Sequence, residues 1–259
     1  MLTLYFSGTG NSKYLAERFS EIMGGDCYSI EEEVDFENLI TTASTIAFSY
    51  PIYGSCVPQI LREFVTKNKN YLNEKKLIIF CTQAMFSGDG ARVFIELLEG
   101  INFEVIYAEH FNMPNNIGNI PVLPIKNREQ IKKAFKKVDK KLYKTCENIK
   151  NEVIKKRGFN AFSKGLGFYS QRKYFLKSEE RKKKDVKISP DCIACSKCVE
   201  VCPMKNLQVI DKKIEQKGKC TLCYRCVNIC PNKAITVLIH SKVKKQYKGV
   251  DGKLFENVK

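Results

Sequence analysis

The chain opens with MLTLYFSGTGNS (residues 1–12). Met1–Phe6 is an apolar run of strand length. Ser7-Gly8-Thr9-Gly10-Asn11-Ser12 interrupts it with glycines and hydroxyls, and Ser12–Met23 continues at helical spacing. Strand, small-residue loop and helix in that order cradle phosphate, because backbone N–H groups and the positive end of the helix point at the anion. Ser7, Thr9 and Ser12 add hydroxyl donors. The loop is not a nucleotide P-loop, since it lacks G-K-[ST], and it is not G-x-G-x-x-G, since the third glycine is missing. Hydroxyls without an obligate lysine suit a terminal monophosphate such as that of FMN.

Outward from this loop, apolar strands alternate with amphipathic stretches. Met1–Phe6, Cys27–Ile30, Ser44–Tyr50, Lys76–Gln83 and Phe103–His110 read as strands. Ser12–Met23, Val57–Lys67 and Ala91–Leu98 read as helices, while Glu31–Ile40 is acidic and less regular. The alternation predicts an α/β domain, a doubly wound five-stranded parallel sheet of flavodoxin-like order. In such a sheet the ligand lies at the carboxyl ends of the strands. The loops Pro51-Ile52-Tyr53-Gly54-Ser55 and Thr82-Gln83-Ala84-Met85-Phe86-Ser87-Gly88-Asp89-Gly90 are therefore expected to flank an isoalloxazine. Tyr53 is the first choice for a stacking ring and Phe86 the second, against the plain alternative that each packs its own loop. Phe111-Asn112-Met113-Pro114-Asn115-Asn116 is expected to emerge on the same edge, either to close over the flavin or to form a turn shaped by Pro114.

Residues 126–157 read as one long helix, with Ile131, Phe135, Val138, Leu142, Ile149 and Val153 on an apolar stripe, stopped by Gly158. Residues 158–190 mix Phe159, Phe162, Phe168, Tyr169, Tyr174 and Phe175 with basic residues, and read as a connector that packs aromatics between domains. Stacking on single-stranded nucleic acid is the less favoured reading, since no recognised binding module surrounds the stretch.

The back half holds an internal repeat. DCIACSKCVEVCPMKNLQV at 191–209 aligns with KCTLCYRCVNICPNKAITV at 219–237 at a constant offset of 28 residues. Each copy reads C-x2-C-x2-C-x3-C-P. Two residues between ligands let a tight loop aim successive sulfurs at different corners of one cubane, with backbone N–H groups facing its negative charge. Zinc is the weaker alternative, because zinc sites use paired knuckles rather than triplets with a distant fourth ligand, and four disulfides suit an oxidising compartment. The repeat uses eight of the 12 cysteines; Cys27, Cys56, Cys81 and Cys146 form no C-x-x-C.

These motifs carry a resemblance. FSGTGNS (residues 6–12) looks like the flavodoxin FMN-phosphate signature, and each cysteine run resembles the bacterial ferredoxin motif for [4Fe–4S] clusters. Together they resemble the fused flavodoxin–ferredoxin proteins of anaerobic bacteria, over residues 1–110 and 188–240. The resemblance implies FMN and two [4Fe–4S] clusters with crossed ligation: Cys192, Cys195, Cys198 and Cys230 on one, and Cys220, Cys223, Cys226 and Cys202 on the other. It implies a flavodoxin-like domain over 1–157, a connector over 158–187, and a ferredoxin-like α+β domain with a basic tail over 188–259. The implied activity is electron transfer between two-electron and one-electron carriers. The alternative is a flavin-dependent reductase of a small acceptor, with His110 more structural than proton-donating.

Charge bears on partners. The chain has 259 residues and a formal net charge of +16, yet residues 1–125 are net −7 and residues 126–259 net +23. Bound cofactors would reduce the total to about +10. The split predicts docking by opposite charge, either to an acidic redox partner protein or between two copies in a head-to-tail homodimer that sets one chain's cluster beside the other's FMN. A nucleic-acid-binding redox sensor rests on charge alone and is not favoured. No apolar run approaches the roughly 20 residues of a membrane helix, and MLTLYFSGTGNS has no signal-peptide pattern. The expected location is the cytoplasm, where cysteines stay reduced and hold metals.

Overall fold

The computed structural model describes residues 1–119 and 124–249. The first part of the chain forms one six-stranded parallel sheet of order β2-β1-β3-β4-β5-β6. Its elements are β1 (Leu2–Tyr5), α1 (Asn11–Met23), β2 (Asp26–Ser29), α2 (Phe36–Thr42), β3 (Thr45–Pro51), α3 (Gln59–Asn68), β4 (Lys75–Gln83), β5 (Phe103–Asn112), α4 (Arg128–Lys150) and β6 (Lys155–Lys156). The order β2-β1-β3-β4-β5 is that of the flavodoxin-like class. It reverses direction between β1 and β3, so a crevice opens above their carboxyl ends.

The core follows from the apolar runs. Leu4, Ile46, Phe48, Leu77, Ile79 and Phe80 are fully buried along central strands covered on both faces. Phe19 of α1 meets Phe80 edge to face at 4.9 Å between ring centres. From α4, Phe135, Val138, Leu142 and Cys146 are buried at helical spacing, and Phe135 meets Tyr14 at 4.6 Å.

Four expectations are corrected. The sheet has six strands, not five: β6 pairs in parallel with Tyr107 and Ala108. The helix expected over 126–157 ends at Lys150, where the Val153 N–H turns back to the Asn148 carbonyl and Glu152 adopts a positive φ. Val153 is consequently exposed rather than in the apolar stripe. The connector is largely helical, with α5 (Ala161–Gly167), a π-helical turn at Phe168–Arg172 and α6 (Lys173–Lys183). Of its six named aromatics only Phe175 is buried, whereas Phe162 is 79% exposed. Ala91–Leu98, expected as an α-helix, forms 3-10 turns over Arg92–Leu98.

The described chain divides into two compact units. One comprises Met1–Ser7, Asn11–Met113 and Ala134–Phe175; the other takes Gly8–Gly10, Pro114–Lys133 and the chain from Leu176. The second unit contains β7 (Val186–Ile188), α7 (Lys197–Glu200), the hairpin β8 (Leu207–Ile210) and β9 (Lys213–Gln216), α8 (Arg225–Ile229) and β10 (Ile235–Val237). The 28-residue offset maps β7 onto β9, α7 onto α8 and β8 onto β10. Antiparallel pairing joins β7 to β10 and β8 to β9, so the first strand of each copy pairs with the last strand of the other. Much of the basic tail, residues 250–259, lies outside the described residues.

Candidate cofactor sites

Four strand ends meet on one edge of the sheet, because parallel register sets Tyr5 beside Ser49, Pro51 beside Thr82, and Gln83 beside Asn112. The loops that follow β1, β3 and β4 therefore share that edge, as the sequence predicts.

The first loop feeds α1, which starts at Asn11 immediately after Gly10 in a left-handed conformation (φ 86°). Glycine takes that conformation without the steric cost a Cβ imposes. Ser12 is buried, its hydroxyl 2.8 Å from that of Thr82, and Ser49 Oγ donates to the Ser12 carbonyl at 3.0 Å. Within the second unit, Asn116 Nδ2 donates to Thr9 Oγ1 at 2.7 Å. An oxygen that accepts from an amide keeps its own proton free to donate. Arg225 Nε donates to the Gly8 carbonyl at 3.1 Å. In a trans peptide this turns the Thr9 N–H to the opposite side. The residues present thus fit a phosphate: an α1 N-terminus, a left-handed glycine and an oriented hydroxyl.

The loops after β3 and β4 are knit together. Ser55 Oγ donates to the Ser87 carbonyl, and the Ile52 N–H donates to the Thr82 carbonyl at 2.9 Å. Pro51, Ile52, Tyr53 and Gly54 are half-buried; Thr82 and Gln83 are buried. Ala84, Met85 and Phe86 are exposed at the tip. Gln83 Nε2 donates to the Met85 carbonyl and to Asn112 Oδ1, which ties the tip to the end of β5. Phe111 and Asn112 belong to β5 itself, so the third loop begins only after them.

Gly88 and Asp89 face α5 and the π turn. Gly88 has φ 63°, and a Cβ there would stand 2.6 Å from the Gly167 backbone. Asp89 has no exposure and receives Arg172 through two bonds of 2.9 and 3.0 Å and Arg92 through two of 2.9 and 2.7 Å. Arg172 also reaches the Ser55 carbonyl, and Gln171 Nε2 donates to the Phe86 carbonyl at 3.1 Å. Asp89 is thus placed to fix the loop's shape for its neighbours. Arg172 escaped sequence reasoning, because a lone arginine among basic residues reads as a solvated surface.

His110 is buried, with Nε2 accepting from the Ala91 N–H at 3.3 Å. Burial, then the Arg157 charge, lowers its pKa to about 4. A neutral imidazole already used as an acceptor is no proton donor, which agrees with the structural role expected of it.

The cysteine loops repeat each other at backbone level. Positive φ angles fall at Ala194 and Ser196 in the first copy and at Leu222 and Tyr224 in the second. The Ala194 N–H meets Cys192 Sγ at 3.4 Å, and the Leu222 N–H meets Cys220 Sγ at 3.3 Å. The Asn206 N–H meets Cys202 Sγ at 3.2 Å, and the Ala234 N–H meets Cys230 Sγ at 3.3 Å. Such N–H groups stabilise negative sulfur.

Four of the thiols share one cavity. A cavity is lined by Cys202, Cys220, Cys223 and Cys226, with Pro203, Thr221 and Tyr224 among its other walls. Burial, then the charges of Cys230, Cys192 and Cys195, pushes the Cys198 thiol up to about 11. Burial, then Cys223, pushes Cys220 up to about 12, with Cys202 a smaller influence. Among the described residues no three His, Cys, Asp or Glu side chains converge to hold a single metal ion. A four-iron cubane meets its thiolates at four separate irons and needs no such convergence.

The comparisons bear out the class. A flavodoxin-domain family model matches residues 2–141, and a 4Fe-4S dicluster domain model matches residues 191–235. Among solved structures, the chain is similar to the two-electron reduced flavodoxin of Megasphaera elsdenii, at 22% identity over 42% of this chain and 85% of that one, with a TM-score of 0.38. It is also similar to a flavoprotein of Lactobacillus acidophilus in complex with FMN, at 16% identity over 42% of this chain and 91% of that one, with a TM-score of 0.35. No curated protein matches.

Fold and sites together define a flavodoxin-type electron-transfer protein with an iron–sulfur domain. The family model covers more than half of the chain, which belongs to the flavodoxin family and is fused to a ferredoxin-like 4Fe–4S domain. No helix among the described residues is long and apolar enough to cross a membrane.

Proposed function

We propose that this protein passes electrons between FMN and two [4Fe–4S] clusters and exchanges them with a separate redox protein. The carrying observation is the company Cys202 keeps. Though it belongs to the first copy, it lines the same cavity as Cys220, Cys223 and Cys226 of the second. That set supports crossed ligation, and with it two clusters, as does the exchange of strands between the copies.

Ser7, Gly8, Thr9, Gly10, Asn11 and Ser12 would hold the FMN phosphate. Pro51, Ile52, Tyr53 and Gly54 would bound one side of the isoalloxazine, and Thr82, Gln83, Ala84, Met85, Phe86, Gly88 and Asp89 the other. Bound FMN supplies a centre that exchanges one or two electrons, and each cluster supplies a one-electron centre. The protein's part is placement: the N–H groups near Cys192, Cys202, Cys220 and Cys230 favour the charged sulfurs, and the Asp89–Arg172 pair holds the flavin loop. His110 is buried and accepts a hydrogen bond from the Ala91 N–H, so it supports no reductase role.

The test is composition. Protein purified without oxygen should contain about one FMN, eight iron and eight acid-labile sulfides per chain, as two four-iron clusters require. Zinc without sulfide would overturn the reading. Cys202→Ala should damage the cluster of Cys220, Cys223 and Cys226 while sparing the other, as read by electron paramagnetic resonance.

A further inference from the structure

The two cysteine loops share one backbone but not one surface. In the second copy Thr221, Leu222, Cys223 and Tyr224 are all buried, and Tyr224 Oη donates to the Val237 carbonyl at 2.7 Å. Arg225, next along, binds the carbonyls of Gly8 and Val201. In the first copy the equivalents open outward. Ile193 is 62% exposed, Cys195 is exposed, and Ser196 stands where Tyr224 does. Among the described residues, Ile193 is not packed into a core. Large apolar side chains that stand out in this way serve as anchors in interfaces.

Basic residues border the loop. Lys197 precedes Cys198, and Lys233 follows Cys230 with its Nζ fixed on the Lys244 carbonyl. Asn232 Nδ2 donates to the Asp191 carbonyl at 2.8 Å, which brings the exposed Pro231-Asn232-Lys233 segment alongside the first copy. Asp191 and Glu200 are the local acids, against residues 191–259 at net +8. With two clusters bound, residues 191–259 would stay net positive at about +4 by ordinary ionisation, which favours an acidic partner at long range.

We propose that the Cys192–Cys198 loop is the port for external electron exchange, with Ile193 as its apolar anchor and a small acidic one-electron carrier protein as its occupant. This rests on the proposed two-cluster reading. One electron crosses per encounter: the donor is oxidised by one, the acceptor reduced by one, and no bond or proton moves. The second loop, with its equivalents buried, does not take part in docking.

The experiment uses the full holo protein and a small acidic flavodoxin as probe. Iron and sulfide content are measured first, so failure of the two-cluster reading is seen separately. Binding of the oxidised probe to the oxidised protein is then followed by calorimetry, which involves no turnover, and electron exchange by anaerobic stopped flow. Ile193→Glu should weaken binding and lower the second-order rate constant by about tenfold or more, because it removes the anchor and opposes an acidic partner. Ile193→Ala should give a smaller loss in the same direction. Val209→Glu, an exposed site on β8, should behave as wild type. Wild-type affinity and rate in Ile193→Glu, or equal losses in Val209→Glu, would overturn the proposal. So would rates that rise with the protein's own concentration and not with the probe's, since the occupant would then be a second copy.

Discussion

Asp89 buries its carboxylate completely between two arginines. Leaving a buried charge with no partner costs about 3–5 kcal/mol, and removing Arg172 leaves Asp89 with Arg92 alone, so the expected loss lies below that range. Arg172→Met should therefore lower the urea midpoint markedly, and adding Asp89→Asn to it should restore part of the loss. A pair that contributed nothing would show no recovery in the double variant. Thr9 makes a separate prediction. Thr9→Glu puts a carboxylate where the phosphate is proposed to sit, so FMN binding should be lost while iron and sulfide stay at their wild-type content. FMN titration followed by fluorescence checks this, and undiminished affinity would remove Ser7–Ser12 as the phosphate site. Neither Arg172 nor Arg225 was legible as a site residue. Each finds its partner far along the chain, Asp89 and Gly8 respectively, and nothing local in an arginine announces such a pairing.

Strand β5 carries adjacent titrating groups in a buried setting. Burial works to raise the Glu109 carboxyl, but hydrogen bonds from Lys155, Lys141 and the His110 N–H outweigh it and hold the pKa at about 2. His110 is lowered from 6.5 to about 4, chiefly by burial. Between these values the unfolded chain takes up a proton that the folded chain refuses, so stability falls as pH drops from about 6.5 towards 4. Glu109 adds a further loss from about 4.5 down to about 2. Urea unfolding followed by circular dichroism should show about 2 kcal/mol less stability at pH 5 than at pH 7, and His110→Gln should flatten the difference. At this scale the sequence was read well where a pattern is local: β1 with its loop and α1, the period of α4, and the cysteine repeat. It was read poorly where pairing is remote. Lys155–Lys156 has no strand-like composition and becomes β6 only because Tyr107 and Ala108 offer a free edge. Helices α5 and α6 were hidden because their glycines and exposed aromatics break the apolar period that marks a buried helix face.

Over the whole molecule, the charge split bears on the association proposed. With cofactors bound, residues 1–125 would carry about −9 and residues 126–259 about +19 by ordinary ionisation. Electron exchange with acidic partners should slow as salt rises, since exposed charges are screened beyond roughly 8 Å at physiological ionic strength. If two copies instead pair head to tail, cluster-to-flavin transfer should slow on dilution, in step with dissociation seen by ultracentrifugation. A strictly monomeric protein with transfer independent of concentration would eliminate exchange between chains. The strand exchange in the second unit also bears on how the protein is made. A chain leaves the ribosome from its N-terminus, and domains fold in that order. Yet β7 waits for β10, and under the proposed ligation Cys192, Cys195 and Cys198 wait for Cys230, the last cysteine of the repeat. Under the crossed ligation proposed, neither metal centre can be completed on a nascent chain that ends before Cys230. Iron delivery then belongs after that point in synthesis, and a message truncated between the two copies of the repeat would yield a flavin-binding half with stranded, oxidation-prone cysteines.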